Sequence, residues 1–241
     1  MNKLIVILGP TASGKTTLAT SLALQLNGEI ISADSRQIYK GMDIGTGKDL
    51  KDYQINGSII EHHLIDILNP NQDYSVFHFQ NDCQNAIIDI QGKNKLPIIC
   101  GGTGLYIESV LLDYKIPKTN PNNELRKKLE QKTIHELKAH LLKLNQKEFK
   151  ADYHLSKRRL IRSIEILEDK KHINMQKIGN SIVDNAIVVG LKADRSIILE
   201  SIKSRLHARL EEGMVAEVEK LIADGLEYNR LNYFGSFYMI D

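Results

Sequence analysis

The sequence predicts an α/β protein, in which a parallel sheet is flanked by helices and interrupted by a basic all-helical insertion. Short apolar runs alternate with segments of helical periodicity, a pattern typical of βαβ units. Between residues 114 and 172 no convincing strand occurs, and Lys and Arg accumulate. We therefore divide the chain into a first part of the core (1–113), an insertion (114–172) and a return to the core (173–241).

The elements of the first part follow from the spacing of apolar residues. The apolar run 4–8 is closed by Gly9, and the run 96–100 is closed by Gly101, as expected for buried parallel strands. Predicted strands cover 4–8, 29–32, 59–67 and 96–100. Predicted helices cover 15–26, 76–91 and 104–112. The stretch 40–57 is rich in Gly and Asp and is predicted to be a loop.

Helix-start signals organise the insertion. Thr133 followed by Glu136 forms a capping-box pattern that opens a helix ending near Leu144. Ser156 precedes the periodic segment 157–168 and is a second predicted cap. The insertion is therefore expected to be helical.

The return to the core begins with an apolar run at 186–191, which we predict to be a strand. Asp194 is then expected to cap a long helix. Glycines mark its break and its end, at Gly213 and Gly225 respectively.

Composition excludes several classes of protein. Of 241 residues, 42% are hydrophobic and 26% are charged, as in ordinary globular domains. No apolar run approaches the ~20 residues of a membrane helix or the length of an export signal, so no membrane association is expected. The two cysteines, Cys83 and Cys100, are too few for a disulfide scaffold and fit reduced thiols in a cytoplasmic protein.

Charge is unevenly distributed along the chain. The net charge is only +2, yet residues 114–172 hold 16 Lys/Arg against eight Asp/Glu. Such a segment is either a set of solvated lysine-rich helices or a surface that binds a polyanion by neutralising its phosphates. Charge alone does not choose between these two interpretations.

A glycine-rich motif follows the first strand and opens the first helix. It fits the phosphate-loop pattern G-x-x-x-x-G-K-[ST] in full and consists of Gly9, Pro10, Thr11, Ala12, Ser13, Gly14, Lys15 and Thr16. Backbone N–H groups and the helix N-terminus favour an anion there, Lys15 adds a cation, and the Thr16 hydroxyl can ligate Mg²⁺. The motif predicts a P-loop NTPase-like fold, a class of nucleotide- and ATP-binding proteins.

Two further segments are expected beside this loop, because carboxyl ends of parallel strands meet at one edge. The strand 96–100 ends in a second glycine turn carrying Thr103, where motor ATPases and GTPases have a Mg²⁺-binding Asp. The second strand leads to Asp34, which can bind Mg²⁺ through water or accept a proton from a nucleophile. Polar Ser35, Arg36 and Gln37 follow. The set indicates a transferase joining a phosphorylated donor to a polar, possibly nucleobase, acceptor.

At these residues the sequence resembles the tRNA dimethylallyltransferase, or tRNA isopentenyltransferase, family. The phosphate loop alone is shared by many families, whereas Asp34-Ser35-x-Gln37 followed by Met42-Asp43-Ile44-Gly45-Thr46 is far more specific. The resemblance continues through His62–Asp66, the Gly101 turn and an arginine-rich helix, up to about residue 225. Family members usually extend several tens of residues further, so this chain is expected to lack the usual C-terminal tail.

The resemblance implies transfer of a dimethylallyl group from dimethylallyl diphosphate to N6 of the adenosine 3′ of the anticodon, position 37 of tRNA. It implies Mg²⁺ held by Thr16, a diphosphate in the phosphate loop, and catalysis by Lys15, Asp34, Thr103 and Arg162. The insertion would grip the anticodon stem, in a protein we expect to be a monomer. The expected tRNA-binding residues are Asp34, Ser35, Arg36, Gln37, Thr103, Arg126, Arg158, Arg159 and Arg162.

Three alternatives stay open at this point. An adenylate isopentenyltransferase would prenylate free AMP, ADP or ATP with the same phosphate loop and acidic base. A small-molecule P-loop kinase would use ATP and a small hydroxyl acceptor. A non-catalytic RNA-binding protein would hold its ligand without turnover. The basic insertion favours tRNA, because a mononucleotide needs no extended cationic surface.

Overall fold

The computed structural model describes residues 3–117, 119, 121–145, 156–169, 182 and 185–234. Two units can be separated by their internal contacts. Unit 1 comprises Met1–Asp113 and Asn180–Asp241, and unit 2 comprises Tyr114–Gly179. The predicted end of the insertion at residue 172 lies outside the described residues, so that boundary stays a prediction.

The strands of unit 1 are β1 (Leu4–Leu8), β2 (Gly28–Ser32), β3 (Gln54–Ile55), β4 (Ser58–Ile59), β5 (His62–His63), β6 (Leu96–Gly101) and β7 (Ala186–Gly190). Five of them form a parallel sheet at the centre of this unit, in the order β5-β2-β6-β1-β7. Its helices are α1 (Lys15–Leu26), α2 (Val76–Gly92), α3 (Gly104–Leu111), α7 (Arg195–Glu211), α8 (Met214–Ala223) and α9 (Tyr228–Phe234). The predicted α/β class with a P-loop NTPase-like parallel sheet is confirmed.

Alternate residues of the central strands enter two separate cores. Val6, Ile31 and Ile99 belong to one apolar cluster, which includes residues of α2 and α3. Their neighbours Ile7 and Ile30 belong to a second cluster, which includes residues of α1. Burial on both faces explains why these strands read as continuous apolar runs rather than as alternating ones.

The strand predicted over 59–67 is wrong in extent. A short hairpin, β3 with β4, and the two-residue β5 occupy this region instead. After β5 the chain leaves the extended conformation, with φ of 62° at Leu64 and 55° at Asp66. The following N–H groups of Asp66 and Ile67 donate to the carbonyls of Gln37 and Ile38. The predicted loop 40–57 is also incomplete, because it contains β3 and a 3₁₀ helix at Leu50–Tyr53.

All the secondary-structure elements assigned among the described residues of unit 2 are helices, as predicted. It contains α4 (Asn123–Glu130), α5 (Ile134–Leu144) and α6 (Lys157–Glu168), whose leucines and isoleucines form one apolar cluster. The Thr133–Glu136 capping box is present, and Ser156 Oγ accepts a hydrogen bond from the N–H of Arg159 at 3.3 Å. The cap signals therefore placed these helix starts correctly.

The C-terminal helices follow the predicted breaks. Gly213 and Gly225 both have positive φ, 99° and 93°, and lie between α7 and α8 and after α8. Asp194 stands at the N-cap of α7, but its side chain makes no capping hydrogen bond, so the predicted role of that carboxylate is wrong. Within the described part of the chain, no helix is both long and apolar enough to cross a membrane.

We expect Gly101→Ala to destabilise unit 1 by about 1–3 kcal/mol, because overpacked sites cost this much. A Cβ at Gly101 would lie 2.3 Å from the carbonyl oxygen of Ala33, which is backbone and cannot turn away. Gly102→Ala is the matched control, since its Cβ would meet nothing closer than 3.5 Å. Urea denaturation of both variants measures the difference, and equal stabilities would contradict the prediction.

Candidate active site

Three loops that carry the predicted site residues emerge side by side from adjacent strands. β6 lies between β1 and β2, with Leu8 opposite Gly101 and Ser32 opposite Cys100. The phosphate loop follows β1, the segment from Asp34 follows β2, and the turn with Thr103 follows β6. The sheet therefore brings the phosphate loop and the residues predicted to bind the acceptor together at one edge.

The phosphate loop makes a tight turn into α1. Gly14 has φ of 81°, and Ala12 is also left-handed, with φ of 62°. The Lys15 ammonium donates to the carbonyl of Pro10 across the turn. The hydroxyl oxygen of Ser13 is buried and has no hydrogen-bond partner among the described residues. An anion bound in the loop would satisfy this hydroxyl, as expected for a phosphate site.

An open cleft of about 590 Å³ lies against the phosphate loop. Its other wall was not predicted from the sequence: it comes from the segment after β2 and from α7. The lining residues are Ala12, Ser13, Gly14, Lys15, Thr16, Thr17, Asp49, Asp52, Glu200, Ser201, Ser204 and Arg205. The polar spacing of 200, 201, 204 and 205 along one helix face was the available signal.

Arg205 brings a second cation to this cleft. Its Nη2 donates to Asp49 Oδ2 at 2.6 Å, and Arg209 contacts the same carboxylate oxygen at 3.6 Å. These ion pairs connect α7 to the segment that follows the Met42–Lys48 motif. The cleft wall is therefore held by contacts between parts of the chain far apart in sequence.

Lys15, Asp34 and Cys100 affect one another electrostatically. Burial lowers the pKa of Lys15, the carboxylate of Asp34 opposes that shift, and the positive charge of Arg205 adds to it. Burial also raises the pKa of Cys100 to about 11, partly offset by Lys15. Cys100 is consequently a protonated thiol at neutral pH and supplies no nucleophile.

Asp34 and Thr103 form a polar wall where the acceptor is predicted to bind. The Thr103 N–H donates to the carbonyl of Ala33 at 3.2 Å, and Thr103 Oγ1 accepts from the N–H of Ser35 at 3.2 Å. Asp34 Oδ1 accepts from the N–H of Arg36 at 2.9 Å, which orients the carboxylate. The Thr103 hydroxyl can still donate its own hydrogen to a substrate.

Gln37 is held by the protein at both ends of its amide. Its Oε1 accepts from Ser32 Oγ at 2.9 Å, and its Nε2 donates to the carbonyl of Gly47 at 3.0 Å. The tRNA contact predicted for Gln37 stays a prediction, and the structure adds a role in joining two loops.

Lys48 explains part of the Met42–Lys48 motif. Its ammonium is fully buried and donates to the carboxylates of Asp43 and Asp66 and to the carbonyl of Tyr39 at 2.7 Å. A buried cation must be paired in this way, because an uncompensated charge is costly away from water. These residues are therefore structural parts of the loop beside the site.

The predicted arginines of unit 2 fall into two groups. Arg126 donates to both oxygens of Glu165, at 2.9 and 2.8 Å, and Arg162 contacts the same carboxylate and the carbonyl of Thr119 at 2.9 Å. Arg158 and Arg159 lie exposed on α6. The ion pairs give Arg126 and Arg162 a structural role within unit 2, while catalysis by Arg162 stays a prediction.

The residues at the cleft fit a hard divalent cation. Thr16 and Thr17 supply hydroxyl oxygens, and Asp49 and Asp52 supply carboxylates, the donor types that Mg²⁺ prefers. The described residues contain no cluster of three or more His, Cys, Asp or Glu suited to a metal. Such a cation would therefore need substrate phosphate oxygens and water to complete its coordination.

Comparison with known proteins decides the family. A family model described as IPP transferase matches residues 37–240, and one described as isopentenyl transferase matches residues 2–57. The chain belongs to the IPP transferase family. Two relatives of this family are tRNA dimethylallyltransferase 1 of Parabacteroides distasonis and tRNA dimethylallyltransferase 2 of Bacteroides fragilis. Each is 48% identical over 98% of this chain and 76% of its own length.

Solved structures agree with this membership of the IPP transferase family. The tRNA isopentenylpyrophosphate transferase of Bacillus halodurans is 34% identical, with a TM-score of 0.63 over 95% of this chain and 72% of its own. A eukaryotic dimethylallyltransferase acting on tRNA is 24% identical, with a TM-score of 0.73 over 92% of this chain and 56% of its own, and supports the fold alone. The predicted family resemblance is confirmed.

Replacing Glu165 should destabilise unit 2. Burial alone would raise the pKa of this carboxyl, but hydrogen bonds from Arg126, the N–H of Asn122 and Arg162 lower it overall. A lowered pKa means that the carboxylate stabilises the fold at neutral pH. This stabilisation is lost as the pH falls below the ordinary value of 4.5 towards the lowered folded-state value.

Glu165→Ala is expected to cost about 2 kcal/mol at neutral pH, as for hydrogen bonds to charged groups. The cost should shrink only at a pH below 4.5, as the solution approaches the lowered folded-state pKa and wild-type Glu165 also loses its charge. Urea denaturation followed by far-UV circular dichroism at both pH values measures this. Glu168→Ala is the control, because its pair with His140 is partly exposed. A pH-independent loss would argue against the ionic role.

Proposed function

We propose that the protein transfers the dimethylallyl group of dimethylallyl diphosphate to N6 of the adenosine 3′ of the anticodon in tRNA, position 37, and releases diphosphate. One observation carries this: the phosphate loop and the Asp34–Thr103 wall share one sheet edge, in a chain of the IPP transferase family. The tRNA dimethylallyltransferases at 48% identity support the same reaction.

On the donor side, the phosphate loop would hold the diphosphate. Backbone N–H groups at the start of α1, the unsatisfied Ser13 hydroxyl and the Lys15 ammonium can all donate to its oxygens. Arg205 contributes a further positive charge from α7. Mg²⁺, held by Thr16, would neutralise diphosphate charge when bound. Such groups stabilise the charge that grows on the leaving group as the C–O bond breaks.

On the acceptor side, Asp34 would orient the adenine amine and accept its proton. The N6–C bond forms, the C–O bond to diphosphate breaks, and the N6 proton passes to the carboxylate and then to water. The Thr103 hydroxyl, already aligned by Ser35, can donate to the base. A base in an anticodon loop is single-stranded and costs little to extrude.

The choice of tRNA rests on unit 2. Its helices display the exposed Arg158 and Arg159, and its sequence carries the excess of positive charge. Phosphate contacts of this kind supply affinity for a polyanion that a mononucleotide does not need. We further propose a monomeric enzyme that works in the cytoplasm, where its buried cysteines Cys83 and Cys100 stay reduced.

A second candidate is prenylation of a free adenine nucleotide. The isopentenyl transferase model covers residues 2–57, which include the phosphate loop and Asp34. This half of the site would serve either acceptor. The IPP transferase model extends over 37–240 and includes unit 2, which supports the tRNA acceptor.

The test is transfer of radiolabelled dimethylallyl diphosphate, with Mg²⁺, to three acceptors in parallel. These are an anticodon stem-loop with adenosines 3′ of the anticodon, the same loop with guanosine at position 37, and AMP. We expect label only in the adenosine stem-loop. Label in AMP would identify the second candidate, and no label in any acceptor would refute prenyl transfer.

We expect Asp34→Asn to lower kcat by about 10²–10⁴-fold, the range for loss of a general base. The amide oxygen can still accept from the N–H of Arg36, so the loop should keep its conformation. Affinity for dimethylallyl diphosphate should stay near the wild-type value. Steady-state kinetics with the exposed Asp224→Asn as control will show whether kcat alone responds. Near wild-type turnover would remove Asp34 from catalysis.

We expect Arg158→Ala to weaken stem-loop binding and to reduce the slope of log K against log salt by about 1, the value for one lost phosphate contact. Fluorescence anisotropy across a salt series measures this slope. Arg195→Ala, an exposed arginine at the start of α7, is the matched control. An unchanged slope for Arg158→Ala would exclude that side chain from the RNA surface.

A further inference from the structure

A single carboxylate on α8 accepts three consecutive backbone N–H groups from a loop beside the acceptor wall. Glu217 Oε2 accepts from Asp43 and Ile44, each at 2.7 Å, and Oε1 accepts from Gly45 at 3.0 Å. Charge-assisted hydrogen bonds of this kind are stronger than neutral ones. Glu217 therefore holds the loop in one conformation from a distance of 174 positions along the chain.

The same loop closes into a turn that reaches Gln37. The N–H of Gly47 donates to the carbonyl of Ile44 at 3.1 Å, and Gly47 is left-handed, with φ of 64°. The carbonyl of Gly47 then accepts from Gln37 Nε2 at 3.0 Å. Ser32 Oγ fixes the other end of the amide. The orientation of Gln37 thus depends on where the turn lies.

Gln37 stands three residues after Asp34 and continues the same loop. Between them, the Thr103 hydroxyl binds the N–H of Ser35 and the Asp34 carboxylate binds the N–H of Arg36. The segment 34–37 is consequently supported on one side by the Thr103 turn and on the other by the Gly47 carbonyl. The donor side has separate supports, in the phosphate loop and α7.

We propose that Glu217 is a positioning residue for the acceptor side of the reaction: by fixing the turn 43–47 it fixes Gln37 and the loop that presents Asp34 to the adenine. This inference rests on the proposed function and extends it. Glu217 touches neither substrate; it acts through the backbone of the turn and through Gln37.

The test is a double-mutant cycle between Glu217 and Gln37, assayed by prenyl transfer to the adenosine stem-loop. Glu217→Ala leaves three N–H groups without their acceptor, so we expect kcat/KM for the stem-loop to fall at least about tenfold. The KM for dimethylallyl diphosphate should change by less than about twofold. In the Gln37→Ala background, Glu217→Ala should have little further effect, because the two residues act in series.

Two further variants keep the test decisive. Glu217→Gln retains one acceptor oxygen and should recover part of the lost activity; it replaces Glu217→Ala in the cycle if that variant fails to fold. Glu219→Ala, an exposed carboxylate on the same helix, should behave as wild type. Thermal denaturation of each variant records the loss of stability separately from the loss of activity.

The outcomes separate the inference from the proposed function. A wild-type enzyme that transfers no prenyl group refutes the function. A wild-type enzyme that does, together with additive Glu217 and Gln37 effects or equal losses for both substrates, refutes the positioning role alone. Glu217→Ala kinetics identical to those of Glu219→Ala would also refute it.

Discussion

The close approach of Gly101 to Ala33 is the constraint on which the rest of the site depends. Where β6 ends, its backbone lies so near the carbonyl of Ala33 that no side chain fits between them. That contact lets the Thr103 N–H bond Ala33, and lets the Thr103 hydroxyl bond Ser35. The phosphate loop lies beside the Thr103 turn, because it follows β1, the other strand that pairs with β6. The phosphate loop and the Asp34–Thr103 wall therefore lie side by side because β6 pairs with both β1 and β2.

Charge inside the protein is neutralised locally. Glu29 is buried at the start of β2, and although burial alone would raise its pKa, Lys95, His63 and Lys93 lower it to about 2. Lys48 and Glu165 are paired in the same manner, each within its own unit. Paired ions of this kind fix loop and helix positions, since removing one partner leaves the other uncompensated.

Local patterns account for what could be predicted from the sequence. Apolar runs and cap signals, such as Thr133 with Glu136, are formed by residues close together in the sequence. The α/β class, the phosphate loop and the helices of unit 2 could therefore be predicted. The segment 59–67, predicted to be one strand, is rich in residues that favour strands. In the structure the extended conformation ends at left-handed Leu64, and the chain then bonds to the loop after β2; neither feature has a signal in the local sequence.

Long-range partners account for what could not be predicted. The Met42–Lys48 motif marked a segment as specific, but nothing in it indicates that Glu217 accepts its N–H groups. In the sequence, Arg205 is one of several charged residues on a long helix, and only the fold shows that it lines the cleft. For Arg162, the sequence indicated only a place in an arginine-rich helix, whereas its bond to Glu165 became visible only in the structure.

The α7 wall of the cleft also bears on the order of events during synthesis. A ribosome releases the phosphate loop, β2 and β6 early, and these can pair as soon as residue 101 has emerged. The ion pair of Asp49 cannot form until Arg205, 156 positions later, has been synthesised. The hydrogen bonds of the 43–45 loop likewise require Glu217. Contacts this distant form late, because chain closure has an entropic cost. A nascent chain would thus have the strands β5, β2, β6 and β1 available for pairing before β7 and the cleft wall from α7 are added.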